Sequence, residues 1–267
     1  EIRNIAYWKL QSNMINLHFF GCSLTAGDEL SDDEYFPWKA TCKSGNEYFQ
    51  RRNKILLDSD LSTKYEQSNR ELAYPALINN DVYKTHNYSR NGASLRENIY
   101  RALKLIYGDN DVGAIFLQIP PSGREMHVKG KDFVTTLRFA DAKKVVTKDE
   151  EAVSRYINAK LMSHSNIQYS LDDLMDLLML NNVARQKNVK LYVIDMLNQL
   201  EARLQDLNGV CGFQFVHDNL LKEINLIDLP LHLKRQQTLA GHITKQAHRE
   251  FAELIQAMLP NILNSKA

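Results

Sequence analysis

The chain has 267 residues, 44% of them hydrophobic, enough to close a sizeable core without staples. Its 33 Lys and Arg against 32 Asp and Glu leave a formal charge of +1, which excludes the basic footprint of a general nucleic-acid coat. Three cysteines, Cys22, Cys42 and Cys211, lack CxxC or CxxH spacing; they predict neither a disulfide framework nor a structural zinc and point to a reducing compartment.

No apolar run approaches the roughly 20 residues needed to cross a bilayer, and Glu1 to Leu10 lacks the basic and apolar regions of a signal peptide. The expectation is a soluble, cytoplasmic chain without a membrane partner, and Glu1 in place of Met suggests a trimmed start.

Met14 to Phe20, MINLHFF, reads as a buried strand stopped by Gly21. Asp28 to Arg70 is polar, without clean periodicity, and reads as a long surface excursion with short helices. Leu72 to Asn79 predicts a brief helix and Asp81 to Ser89 a second strand. Leu95, Ile99, Leu103 and Ile106 give Ser94 to Tyr107 helical spacing, and Val112 to Leu117 is a third strand halted by Pro120 and Pro121. Glu125 to Ser165 is ambiguous: FVTTLRF suits a strand and Asp149 to Met162 a polar helix. Leu171 to Gln186 is an apolar helix whose stripe takes in Met175 and Met179. Asn188 to Asp195 is a fourth strand, Phe213 to Val216 is the candidate fifth, and a last helix, Thr244 to Met258, ends before Pro260.

Strands alternating with helices imply an α/β chain with parallel pairing and helices on both faces. No repeat or linker divides the sequence, so one domain over 1–267 is expected, with insertions near 28–70 and 125–165.

In such a sheet ligands collect beyond the carboxyl ends of the strands, which selects three loops. Gly21 to Gly27, GCSLTAG, has the small residues that let a hydroxyl stand on a tight turn among backbone amides. Asn87 to Ser94, NYSRNGAS, offers the N–H of Gly92, while Asn91 or Ser94 could cap the following helix. Gln118 to Glu125, QIPPSGRE, offers hydrogen bonds from Gln118 and Ser122, and Arg124 could hold an anionic group or pair with a local acid. Before the last helix, His242 is suited to act as base toward Ser23.

In their order along the chain these loops resemble the SGNH, or GDSL-type, hydrolase family, over roughly Met14 to Leu259. GCSLTAG is similar to the first family block, usually GDSL, with Ser23 in the nucleophile position. Tyr74 to Ile78 with Asn87 to Ser94 is similar to the second block, including Gly92, and Gly241 to His248, GHITKQAH, resembles the fifth, with His242 as base. Cys22 in place of the usual Asp, and a third loop ending in Arg124 and Glu125, resemble a subgroup seen in bacteriophage and bacterial sequences, for which a virion location is the alternative.

The resemblance implies a three-layer α/β/α sandwich with a mostly parallel five-stranded sheet, flavodoxin-like in order. It also implies a cofactor-free hydrolase of carboxylic esters, with an acetylated carbohydrate as the substrate class. The amides of Ser23 and Gly92 with Gln118 would hold the oxyanion, and Asn91, Ser122 and Arg124 would line the substrate site. The pattern departs from the family at two places. Leu239 and Ala240 stand where an Asp normally precedes the histidine, leaving Asp195, Asp228 or a backbone carbonyl to orient His242. The third-block Asn has no counterpart, and Gln118, with Ser122 behind it, takes its place.

Cys22 is a competing nucleophile, set aside because the residue before Ser23 in such a turn should point inward. His127, His217 and His232 are scattered without HxH or HExxH spacing, so no metal is expected. Arg51, Arg52, Lys143 and Lys144 read as solvated surface, and Tyr35, Phe36, Trp38 and Tyr48 either stack on a sugar or pack. Two other classes stay open: a degenerate, non-catalytic binding or structural protein with a protein partner, and an acyltransferase on the same scaffold.

Overall fold

The computed structural model describes residues 14–108, 111–121, 124–129, 132–137, 166–196, 198–207, 223–228, 230–237 and 242–264. Five strands form one parallel sheet: β1 (Ile15–Phe20), β2 (Tyr83–Asn87), β3 (Ala114–Gln118), β6 (Lys190–Asp195) and β7 (Asn225–Asp228), in the order β2-β1-β3-β6-β7. Between β3 and β6 in sequence, β4 (Arg124–Lys129) and β5 (Asp132–Leu137) form a separate antiparallel pair. Of the FVTTLRF expectation, Phe133 to Leu137 lies in β5, and Arg138 and Phe139 lie outside the described residues. The fifth strand of the sheet is β7 rather than Phe213 to Val216, which lies outside the described residues, as does Asp149 to Met162.

Strand periodicity separates the two faces. Leu17, Phe19, Phe116, Tyr192 and Ile194 point to one side, against α5 (Tyr74–Ile78) and α10 (Lys245–Asn264). Phe20, Ile115, Leu117, Leu191 and Val193 point to the other, against α6 (Leu95–Gly108), α7 (Asn166–Gln186) and α8 (Gln199–Asp206). Each face is covered by helices, so the architecture is a three-layer α/β/α sandwich, and the apolar centres of β3 and β6 follow from burial on both sides.

On α7 the stripe is rotated from the expected one. Leu174, Leu177, Leu180 and Ala184 are buried, whereas Met175 and Met179 are about half exposed. Helix α10 runs through Pro260 instead of stopping before it; Leu259 is buried and Leu263 packs on the core, which holds the turn after the proline in place.

The 28–72 excursion is more helical than its polarity suggests. It follows α1 (Ser23–Ala26) and contains α2 (Asp32–Tyr35), a 3-10 turn (Pro37–Thr41), α3 (Gly45–Ile55) and α4 (Ser59–Leu72). Asp58 caps α4 by accepting from the N–H groups of Asp60 and Leu61, and Ser44 caps α3 through Glu47 N–H. Phe36, Tyr48 and Tyr65 form a buried cluster of its own, with Tyr35 and Trp38 packed against it.

Candidate active site

The sheet order reverses direction around β1, with β2 on one side and β3 on the other, so a crevice opens where β1 and β3 end. The chain leaves β1 through Gly21. A Cβ there would stand 2.5 Å from Thr25 Oγ1 and 2.7 Å from Gln118 Oε1, so the position has no room for a side chain. Cys22 then caps the single turn of α1 with its carbonyl, which accepts from the N–H groups of Thr25 and Ala26, and its own side chain packs into the core. Ser23 is the first residue of that turn, where a backbone N–H has no acceptor within the helix.

Gly27 ends the turn with φ +81°, and Glu29 follows with φ +73°. A left-handed glutamate is uncommon and mildly strained. The two left-handed residues fold the chain back over α1 and bring the Glu29 carboxylate, whose side chain is 0% exposed, to His242.

His242 closes the arrangement. Its Nε2 lies 2.8 Å from Ser23 Oγ, and its Nδ1 lies 3.0 Å from Glu29 Oε1. A carboxylate can only accept, so Nδ1 carries the proton and Nε2 is left to accept from the serine hydroxyl. The backbone on either side is pinned: Gln237 and Ile243 form a β-bridge, Thr244 N–H donates to Gln236 O, and the Thr244 hydroxyl accepts from Ala247 N–H at the start of α10. Ser23 is 7% exposed and the His242 side chain 14%, so the pair is reachable but largely dry.

The carboxylate at His242 Nδ1 is therefore Glu29, six residues after the serine, where the sequence reading offers Asp195 or Asp228. Asp195 is occupied at the start of α8, accepting from the N–H groups of Gln199 and Leu200 at 2.8 and 2.9 Å. Asp228 ends β7 in register with Asp195, and its side chain lies outside the described residues.

Gln118 also departs from expectation. It is fully buried, its Oε1 accepts from Cys22 N–H at 2.9 Å and from the Thr25 hydroxyl at 3.3 Å, and its amide nitrogen donates to the Ile119 carbonyl. Pointed at the underside of the turn, it braces the Ser23 turn from behind, and its amide nitrogen is engaged by the Ile119 carbonyl. The Thr25 hydroxyl in turn meets Tyr74 OH at 3.1 Å, and Tyr74 N–H donates to His248 Nδ1 at 3.0 Å, so the brace continues to α10.

The second loop stands beside the first because Arg90 N–H donates to Gly21 O. Gly92 has φ +79° and open space where a Cβ would be, a conformation that presents its N–H without obstruction. Ser94 caps α6 by accepting from Glu97 N–H. Asn91 is exposed and, with Ala26, Asp28, Glu66, Asn69, Arg70 and Arg90, lines a hollow of about 160 Å³. Arg124 donates to the Ala93 carbonyl at 3.2 Å, tying β4 to the glycine loop, and Ser122 lies outside the described residues.

Around Glu29 the excursion builds a buried charge network. Lys39 Nζ meets Glu29 Oε2 at 3.3 Å and also Asp32 Oδ2. Asp32 accepts further from Tyr48 OH at 2.6 Å and Tyr65 OH at 2.7 Å. Arg52, expected at the surface, is buried and pairs with Asp28 at 3.1 Å. Burial, with the bond to Asp32, pushes the Tyr48 hydroxyl far above its ordinary range, so it stays a donor. Sequence reasoning missed Glu29, Lys39 and Asp32; the run Gly27, Asp28, Glu29, a turn glycine followed by two acids directly behind the serine, was the available signal.

Among the described residues no group of three or more His, Cys, Asp or Glu is placed to hold a metal ion, and no helix is long and apolar enough to cross a membrane.

No protein-family model and no curated protein matches the chain. Solved structures with a similar chain course include a carbohydrate esterase (TM-score 0.48, 13% identity, covering 96% of this chain and 72% of that one). A psychrotrophic esterase from Pseudoalteromonas sp., inhibited by monoethylphosphonate, has a TM-score of 0.44 at 10% identity, covering 94% and 99%. A member of the lipolytic protein G-D-S-L family from Veillonella parvula has a TM-score of 0.41 at 11% identity, covering 92% and 97%. At these identities the likeness is one of chain course, and the chemistry is carried by this chain's own residues.

Proposed function

We propose that the protein is a serine hydrolase of carboxylic esters, of the SGNH type, with Ser23 as nucleophile, His242 as general base and Glu29 as the carboxylate that orients and compensates the imidazole. The observation that carries this reading is the continuous hydrogen-bonded chain Ser23 Oγ, His242 Nε2, His242 Nδ1, Glu29 Oε1.

In the first half-reaction the Ser23 hydroxyl proton passes to His242 Nε2 as Oγ bonds to the ester carbonyl carbon. The imidazolium so formed lies against the Glu29 carboxylate, and the developing oxyanion is held by the amides of Ser23 and Gly92. The proton on Nε2 is then given to the leaving alkoxide, which departs as the alcohol and leaves an acyl ester on Ser23. In the second half-reaction His242 takes a proton from water, hydroxide oxygen adds to the acyl carbon, and collapse returns the proton to Ser23 and frees the carboxylic acid.

The alcohol portion is proposed to be carbohydrate. The hollow beside Ala26 and Asn91 is lined by Asp28, Glu66, Asn69, Arg70 and Arg90, alternating donors and acceptors that suit hydroxyl groups better than an acyl chain. Turnover of p-nitrophenyl acetate by the wild type and not by Ser23→Ala supports the reading. A Ser23→Ala protein as active as the wild type overturns it, and inertness of both toward p-nitrophenyl and acetylated-sugar esters favours a binding protein on this fold.

A further inference from the structure

The proposed triad accounts for one oxygen of Glu29; the other is held by Lys39. This lysine sits on the 3-10 turn of the excursion, with Nζ 3.3 Å from Glu29 Oε2, in contact with Asp32 Oδ2, and 4.8 Å above the Tyr48 ring. Its side chain is 18% exposed, whereas both carboxylates it bridges are buried. We infer that Lys39 is a positioning residue that sets the pH range over which His242 can serve as base, by sharing the Glu29 carboxylate with the imidazole.

Among the described residues, Asp28, Glu29 and Asp32 are three buried carboxylates and Arg52 and Lys39 the two cations paired with them. With neutral His242 this group carries one net negative charge, and the imidazolium formed during catalysis balances it. Removing Lys39 would leave two, which holds a proton on His242 more tightly and takes the free base away at a higher pH. Removing the charge of Asp32 does the reverse, because Lys39 then bears on Glu29 alone.

Among the described residues, the neighbouring titratable groups His248, Lys245 and Asp33 do not supply this control. His248, on α10, is neutral at working pH, since burial first and the His242 charge second lower its pKa to about 3. Lys245 and Asp33 pair loosely at 3.9 Å at the mouth, where both are exposed and screened by solvent. Ser23 contributes a neutral hydroxyl. A cation one carboxylate away from the ring, at an effective dielectric of about 20, moves its titration by on the order of one pH unit.

The inference rests on the hydrolase reading only for its kinetic consequence, so the test has two arms. In the first, ¹³C-histidine-labelled protein is titrated by NMR, with the His242 signal assigned by its loss in His242→Gln. The His242 midpoint is expected to rise by about one pH unit in Lys39→Met, to stay near the wild-type value in Lys39→Arg, and to fall in Asp32→Asn. A merely structural role would disturb Lys39→Met and Asp32→Asn in the same direction, so midpoints that move together, or do not move, overturn the inference. If Lys39→Met does not fold, the opposite sign in Asp32→Asn and the retained value in Lys39→Arg decide. In the second arm, the acid limb of kcat/KM for p-nitrophenyl acetate follows the same order of variants. Absence of ester turnover in the wild type would overturn the hydrolase reading, and the NMR midpoints would still decide the role of Lys39.

Discussion

The pairing of Ser23 with His242 was legible in the sequence because each sits in a short run of small or polar residues at a strand or helix end, where position follows from topology. Glu29 was not, because its place depends on two left-handed residues acting together, and nothing in a polar stretch announces a glutamate at φ +73°. Exchange of that carboxylate for an amide keeps the shape and removes the charge that steadies the imidazolium. Glu29→Gln is therefore expected to lower kcat for p-nitrophenyl acetate by on the order of 10³ to 10⁴ with KM little changed. Gln118 was assigned to the wrong side of the nucleophile turn, since a glutamine after a strand reads equally well as an oxyanion donor or as a brace. Gln118→Leu strands the buried Cys22 N–H, and urea unfolding should show a loss of roughly 1–3 kcal/mol. An oxyanion donor facing solvent would lose activity with its stability intact.

At the scale of elements, β1, β3 and β6 were readable because residues buried on both faces leave an apolar run, and the long helices because their stripes repeat over several turns. The excursion lacks such a stripe: α3 buries only Tyr48 and Arg52, four residues apart, and α4 only Tyr65 and Asn69. These side chains meet a small local cluster and a set of carboxylates, so the helices are fixed by ion pairs and phenols that carry no periodic signature. The burial of Arg52 makes a test possible. Arg52→Met leaves Asp28 uncompensated in the interior, and is expected to cost about 3–5 kcal/mol of stability, measured by urea denaturation. A solvated surface arginine would cost well under 1 kcal/mol. Gly27→Ala is expected to unfold the same region first, because the new Cβ would lie 2.6 Å from the Asn69 carbonyl in a left-handed backbone.

For the molecule as a whole, α10 ties one helical layer to the site, contributing Phe251 and Ile255 to the core on that face and His248 to the brace behind Ser23. That buried histidine ties global stability to pH. Folded, it stays neutral down to about pH 3; unfolded, it takes a proton near pH 6.5. Between those values the unfolded chain binds more protons, so this contribution is complete above pH 6.5 and is lost as pH falls. Unfolding by urea at pH 5 should show a deficit of about 2 kcal/mol relative to pH 7 from this group, and His248→Gln should flatten that part of the profile. Parallel pairing with helices on both faces was inferable from alternation, and the five-stranded three-layer arrangement from the family resemblance, whereas the last strand and the path of α10 past Pro260 were decided by packing against the completed core.

Glu29, acting through His242, is proposed to activate Ser23. The most direct measurement is the rate of covalent labelling by a fluorophosphonate, with the modified residue located by peptide mass mapping, in the wild type, Glu29→Gln and His242→Ala. Modification of the wild type at Ser23, slowed at least about a hundredfold in both variants, is expected. Label on another residue, or equal rates in all three proteins, would contradict it.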